Sequence, residues 1–206
     1  MNKDYKISRD QLFETDERKA IMETTEERSI VDLSKGRMTW PVRWMLVHLA
    51  MNTGLRVFEI AALRLEDVRL SSKPPYIFVR RGKRGKSRDV YIDRELVKHL
   101  KEFIRHKQTW DQSIDHDGPL FSGRGGNPFS TTALHISFKE AILAAGLRDN
   151  LSIHCARHSY ATLLYYKTKD LRAVQKQLGH ASLNMTTLYA DIMPEENSRI
   201  ANRILD

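Results

Sequence analysis

The stretch that most restricts the fold of this chain is the apolar run at residues 40–53, WPVRWMLVHLAMNT. Its length suits a helix, Pro41 is acceptable in a first helical turn, and Gly54 supplies a stop signal. A helix that is apolar on nearly every side has to lie inside a protein. We therefore predict a buried helix here.

The rest of the chain predicts further helices and one small sheet. Residues 76–79 (YIFV) and 89–92 (DVYI) are short runs rich in β-branched and aromatic residues, joined by a glycine-containing stretch, and they predict an antiparallel hairpin. A Gly/Pro-rich loop is predicted at 118–129. The other predicted helices cover residues 11–35, 56–63, 93–109, 130–145, 153–167, 170–178 and 182–192.

These patterns together define the expected fold class and domain organisation. The class is mainly α with a small antiparallel β-sheet (α+β). One domain is expected over residues 1–206, with a core at 12–192 and a tail helix at 193–206. Ile200, Ala201, Ile204 and Leu205 give that tail helix a narrow apolar stripe, which predicts docking on its own domain or on a neighbouring protomer.

The charge of the chain favours a polyanionic partner. The formal net charge is +8, and the segment Arg80–Arg88 (RRGKRGKSR) holds six cations and no acid in nine residues. Cys155 is the single cysteine, and the polar N-terminus lacks the apolar stretch of a signal peptide. Both features favour the cytoplasm, and the basic surplus favours nucleic acid as the partner.

Four segments carry a resemblance to a known family. They are TGLRVFEIAALRLEDV at 53–68, GKRGKSRDVYI at 82–92, HCARHSYAT at 154–162 and LGHASLNMTTLYA at 178–190. In this order and at these spacings they resemble the motifs of the tyrosine recombinases. The resemblance implies that family's catalytic-domain fold. It also implies DNA cleavage and rejoining through a covalent 3′-phosphotyrosine bond.

The resemblance assigns the nucleophile and the groups that hold the phosphate. Tyr189 would attack phosphorus, while Arg56, Arg157 and His180 would hold the scissile phosphate. The physical chemistry of the reaction asks for such residues, because guanidinium groups match phosphate oxygens and stabilise the charge of the transition state. Nearby cations would also favour the phenolate of a tyrosine, whose ordinary pKa is about 10.

The resemblance also assigns the residues that transfer protons and the residue that supports the site. Lys83 would be the general acid for the leaving 5′ oxygen, with Lys86 the alternative in the same stretch. His154 would assist proton transfer, and Glu59 would support the site from behind. His154 and Arg157 are three residues apart in a predicted helix, which places both side chains on one face.

The remaining cations of the hairpin predict contacts to DNA phosphates, because the hairpin has to reach DNA if its lysine does. The residues predicted to make these contacts are Arg80, Arg81, Arg84, Lys86 and Arg88.

The function expected from this resemblance is site-specific recombination of the integrase or Xer type. No cofactor and no metal are expected, because the chain shows no nucleotide-binding loop, no Cys/His metal spacing and no dense carboxylate cluster. The alternatives are DNA relaxation of the type IB topoisomerase kind and a non-catalytic DNA-binding relative. The expected partner is double-stranded DNA. The chain is expected to be a monomer in free solution and to form a homotetramer on DNA. The N-terminal core-binding domain of the family is expected to be absent.

Overall fold

The computed structural model describes residues 7–80, 87–123 and 125–179 of the chain. The predicted fold class is confirmed, since helices predominate and one small antiparallel sheet is present. The helices are α1 Thr15–Ser34, α2 Thr39–Thr53, α3 Val57–Ala61, α4 Arg94–Thr109, α5 Thr131–Ala144, α6 Ile153–Thr168 and α7 Leu171–Leu178. The strands are β1 Val68–Arg69, β2 Tyr76–Val79 and β3 Arg88–Tyr91, and short 3-10 helices lie at Arg9–Gln11 and Leu65–Asp67.

The core of the fold is organised around α2. Helices α1, α4, α5 and α6 all pack against it. Met45, Leu46, Val47 and Leu49 are fully buried along it, which confirms the predicted buried helix. A helix that buries residues on consecutive positions needs neighbours on every side.

Polar side chains and glycines set the ends of the helices. The Asp93, Ser130 and Ser152 side chains accept hydrogen bonds from backbone N–H groups in the first turns of α4, α5 and α6. Gly54 and Gly179 end α2 and α7 in the left-handed conformation, with φ of +62° and +65°. These local signals explain why most predicted helix boundaries agree with the structure within about two residues.

The sheet contains the predicted hairpin and one additional strand. In the β2–β3 pair, Ile77 lies opposite Val90, and both side chains are fully buried. Strand β1 pairs with β2 over two residues and was not predicted, because so short a strand has no visible alternation. Helix α3 is shorter than the predicted 56–63. The predicted helix at 182–192 and the tail at 193–206 lie outside the described residues.

The described residues include no helix with both the length and the apolarity needed to cross a bilayer.

A buried lysine joins the end of α4 to the loop that follows it. Lys107 is fully buried, and its Nζ donates to Gln112 Oε1 at 2.8 Å and to Ser122 Oγ at 3.0 Å. Burial lowers the pKa of the Lys107 ammonium to about 8. The charged form therefore opposes folding near neutral pH, although its two hydrogen bonds hold the loop in place.

Replacing this lysine should stabilise the protein in a pH-dependent way. In Lys107→Met, Gln112 Oε1 still accepts a hydrogen bond from Ser122 Oγ, so no acceptor is left without a donor. The folded-state pKa lies below the unfolded one, so the wild type gains stability as pH rises through about 8. The free energy of unfolding of the wild type should lie below that of Lys107→Met, and this difference should shrink by about 1 kcal/mol between about pH 7 and about pH 9.

Thermal or chemical unfolding of both proteins across this pH range checks the prediction. The control is Lys101→Met on the same helix, where the lysine is exposed instead of buried. An equal pH dependence for the two substitutions would contradict the burial argument.

Candidate active site

The described part of the candidate site lies where α2, α3, α6, α7 and strand β3 meet. Gly54 ends α2 there with no room for a side chain. A Cβ at Gly54 would lie 2.5 Å from Tyr160 Cδ1 and 2.7 Å from Leu178 Cδ2. The glycine thus lets the start of the first predicted motif approach both α6 and α7.

Arg56 occupies the residue before α3 and is held there by Glu59. The backbone N–H of Arg56 donates to Glu59 Oε2 at 2.8 Å, and Arg56 Nη1 donates to Glu59 Oε1 at 3.2 Å. The Arg56 side chain is 17% exposed, whereas the Glu59 side chain has no exposed surface. Arg56 is thereby oriented by a carboxylate behind it and keeps a face toward solvent.

Arg157 lies on α6 and ties two helix ends together. Its Nη1 donates to the carbonyl oxygen of Gly54, and its Nη2 donates to that of Leu178 at 3.0 Å. The residue is 5% exposed. A single guanidinium therefore connects the C-terminal ends of α2 and α7.

His154 lies in the first turn of α6, on the exposed side of the site. Burial of the ring lowers the pKa of His154 first. The nearby charges of His135, Arg157 and Arg56 lower it further, in that order. The ring of His135 on α5 lies 5.6 Å from that of His154, measured between centroids. The neutral imidazole, which can accept a proton, is therefore the favoured form of His154.

His158, one turn further along α6, also stays neutral. Burial together with the charges of Arg157 and His154 lowers the pKa of His158 to about 4.

Glu59 is charged although it is buried. Burial by itself would raise the pKa of Glu59. The hydrogen bonds and charge of Arg88, together with the Arg56 N–H, outweigh burial and lower that pKa below its ordinary value. Arg88 Nη1 lies 2.8 Å from Glu59 Oε1, and Arg88 Nη2 lies 2.9 Å from Glu59 Oε2, which is a two-point contact.

Two cations of the basic stretch, Arg80 and Arg88, lie within the described residues, and both are paired with acids. Arg88 was predicted to contact DNA phosphates, but its side chain is 10% exposed and is bound to Glu59. The guanidinium points into the domain, where it pairs with Glu59, and its contact with a DNA phosphate stays a prediction. Arg80 is 41% exposed and pairs with Glu66 at 2.6 Å and Asp67 at 2.8 Å, so part of its charge is neutralised.

The remaining predicted site residues lie outside the described residues. They are Arg81, Lys83, Arg84, Lys86, His180 and Tyr189.

Sequence reasoning missed two contributors to this region. Gln177 on α7 donates from Nε2 to the Tyr91 carbonyl at 2.8 Å and to Tyr160 Oη at 3.0 Å, which links α7 to β3 and α6. His135 reaches His154 from α5. Neither carries a local signal, because their partners are far away in the chain.

Comparison with known proteins decides the family of this chain. The family model described as "Phage integrase family" matches residues 11–196. The chain belongs to the phage integrase family. Its fold is that of the tyrosine recombinase catalytic domains.

Relatives of this phage integrase member include tyrosine recombinase XerC of Chlamydia trachomatis serovar L2. That protein is 33% identical over 147 residues, which cover 71% of this chain and 45% of the relative. The chain thus spans about half the length of the curated relatives it matches.

Two solved structures share the fold. The first is XerA recombinase, with a TM-score of 0.74 and 25% identity over 93% of this chain and 64% of that one. The second is XerH site-specific recombinase bound to a palindromic difH substrate in a post-cleavage complex. Its TM-score is 0.75, with 26% identity over 95% of this chain and 53% of that one.

The His135–His154 pair makes the tuning of His154 testable. His135→Gln should raise the pKa of His154, because the nearby imidazole charge that disfavours protonation is removed. The pKa should stay below its ordinary value, since burial is the largest cause of the shift. NMR titration of the His154 ring in both proteins measures this change. His116→Gln, in an exposed loop, is the matched control, and an equal shift in both variants would sink the explanation.

Proposed function

We propose that this protein is a site-specific DNA recombinase that cleaves and rejoins strands through a covalent 3′-phosphotyrosine at Tyr189. The observation that carries the proposal is the gathering of Arg56, His154 and Arg157 around one edge of the domain. The charges of Arg157 and Arg56 contribute to the lowered pKa of His154, after burial and His135. Buried Glu59 holds Arg56 from behind. Helix α7 ends at the same edge, immediately before His180 in the sequence.

The cations of this edge suit a phosphodiester. Attack on the phosphodiester places additional negative charge on its non-bridging oxygens, and preorganised donors stabilise that charge by about 3 kcal/mol each. Arg56 offers a partly exposed guanidinium, and Arg157 contributes its charge from a nearly buried position. His180 would add a third donor. Charge stabilisation by side chains can replace that of a bound cation.

Two proton transfers complete the cleavage step. The Tyr189 oxygen forms a bond to phosphorus and gives its proton to neutral His154. The bond between phosphorus and the 5′ oxygen breaks, and Lys83 gives that oxygen a proton. The 3′-phosphotyrosine keeps the energy of the broken bond, so a 5′ hydroxyl from another strand can reverse the step and join the strands.

The DNA partner is supported by charge and by the relatives. The cations Arg81, Arg84 and Lys86 would contact phosphates near the reacting bond, with Arg80 at the edge of the same surface. The similar XerC and XerA proteins are named recombinases, and XerH is bound to its difH substrate. We propose that the substrate of this chain is double-stranded DNA and that the chain acts in the cytoplasm.

Assembly on DNA is part of the same proposal. The apolar stripe in the tail at 193–206 would dock on a neighbouring protomer, which makes a tetramer on DNA and leaves a monomer in free solution. That residues 1–206 form one domain stays a prediction.

Loss of the Tyr189 hydroxyl should abolish the covalent adduct. Tyr189→Phe removes the nucleophilic oxygen and little else, so DNA affinity should stay close to that of the wild type. The measurement uses nicked duplexes with randomised arms, from which the wild type selects its site by covalent capture, followed by denaturing electrophoresis. Tyr166→Phe is the matched control, because Tyr166 is exposed on α6 and away from the named site. An adduct formed by Tyr189→Phe would refute the assignment of the nucleophile.

Cleavage should also be independent of divalent cations. Arginine, histidine and lysine side chains supply the charge and the protons in this mechanism, so excess EDTA should leave the rate of adduct formation unchanged. If chelation stops cleavage and magnesium restores it, a metal-dependent nuclease becomes the better description.

A further inference from the structure

Arg88 connects three parts of the candidate site at once. It begins strand β3, five residues after Lys83 in the sequence, and its side chain points toward α3 and α7. Two of its nitrogens contact the Glu59 carboxylate, and its Nε donates to the Gln177 carbonyl at 3.0 Å. The planar fork of an arginine can make these contacts together, whereas the point charge of a lysine cannot.

The Glu59 carboxylate passes this contact on to Arg56. Oε1 accepts from Arg88 Nη1 and Arg56 Nη1, and Oε2 accepts from Arg88 Nη2 and the Arg56 backbone N–H. Both oxygens are therefore shared between the hairpin and the start of α3. A shift of Arg88 would change the position of the carboxylate that orients Arg56.

The end of α7 is shaped to receive Arg88. A Cβ on Gly179 would lie 2.8 Å from Arg88 Cδ and 2.9 Å from Arg88 Nη1, and Gly179 has a φ of +65°. The glycine of the Leu-Gly-His segment thus leaves space for the guanidinium. Gln177 adds a second link, because its side chain exchanges hydrogen bonds with the backbone of Tyr91 at 2.8 and 3.3 Å.

We propose that Arg88 is a positioning residue that holds the hairpin bearing Lys83, the guanidinium of Arg56 and the end of α7 before His180 in one arrangement. This inference rests on the proposed recombinase function. A positioning role and a phosphate contact of Arg88 predict different experimental results. A phosphate contact sets the salt dependence of DNA binding, whereas a positioning residue sets the rate of cleavage once DNA is bound.

The test compares Arg88→Lys with the wild type on two substrates. Arg88→Lys keeps a positive charge beside buried Glu59, so the fold should persist. On an ordinary nicked duplex, adduct formation should slow by about 10²-fold, because small misplacements of catalytic groups have effects of this size. Arg88→Gln, which removes the charge, should leave the salt dependence of DNA affinity unchanged, because a positioning residue neutralises no phosphate.

A substrate with sulfur at the 5′ bridging position tests the role of the hairpin. A thiolate leaves without a proton, so this substrate does not need a correctly placed Lys83. On this sulfur substrate, we expect Arg88→Lys to form the adduct less than about tenfold more slowly than the wild type, because no general acid is needed. A deficit of equal size on both substrates would show that Arg88 does not position Lys83.

Arg148→Lys is a closely matched control. Arg148 also makes a two-point contact with a carboxylate, that of Glu17, and donates to the Leu12 carbonyl at 2.9 Å, away from the candidate site. Its cleavage rate should equal that of the wild type. A wild-type rate in Arg88→Lys, or a reduced salt dependence of DNA affinity in Arg88→Gln, would overturn the positioning role.

Hydrogen exchange separates this inference from the proposed function. The Arg56 amide donates to Glu59, and the Gly179 amide donates to Gln175 O at the end of α7. Both amides should exchange faster in Arg88→Lys than in Arg148→Lys, without any DNA. If the wild type forms no adduct, the recombinase proposal fails, and this measurement still decides whether Arg88 holds the two elements. Unchanged exchange at both amides would reject the inference.

Discussion

The described site depends on the ion pairs that the buried Glu59 carboxylate forms with Arg56 and Arg88. A buried charge is strongly destabilising unless it is paired and hydrogen-bonded. Arg56 and Arg88 meet this requirement together, from the start of α3 and from β3. The hairpin and the first arginine motif are therefore tied by electrostatics, because separating them would leave a negative charge without a partner inside the domain. The position of Arg56 follows from this constraint.

Arg157, another buried cation of the site region, is balanced by backbone dipoles. Helices α2 and α7 both end at left-handed glycines, and the last carbonyl groups of a helix lack partners within the helix. Arg157 donates to Gly54 O and Leu178 O at these two ends. The C-terminal end of a helix carries partial negative charge, so a cation is favourable there. Two nearly buried arginines are thus paired in different ways, Arg88 with a carboxylate and Arg157 with carbonyl groups.

Sequence patterns predicted the elements of this fold better than their contacts. Helix α2 and the β2–β3 hairpin follow from apolar composition and turn residues within one segment, so both were found. The roles of Gln177 and His135 depend on residues that the fold brings from distant segments, which no local pattern can show. The predicted support of the site by Glu59 involves Arg56, which lies three residues away and within one helical turn, whereas the second partner of Glu59, Arg88, lies 29 residues away.

The same reasoning limits what a run of basic residues means. Residues 80–88 contain six cations, and the sequence predicted a contact with DNA or a catalytic role for each of them. In the fold, Arg88 is taken up by Glu59, and Arg80 is partly neutralised by Glu66 and Asp67. The acids come from elements before the hairpin, so the local net charge overstates the field that DNA would meet. The cations at the two ends of the run bind acids of the domain, so the proposed function assigns the phosphate contacts mainly to those between them.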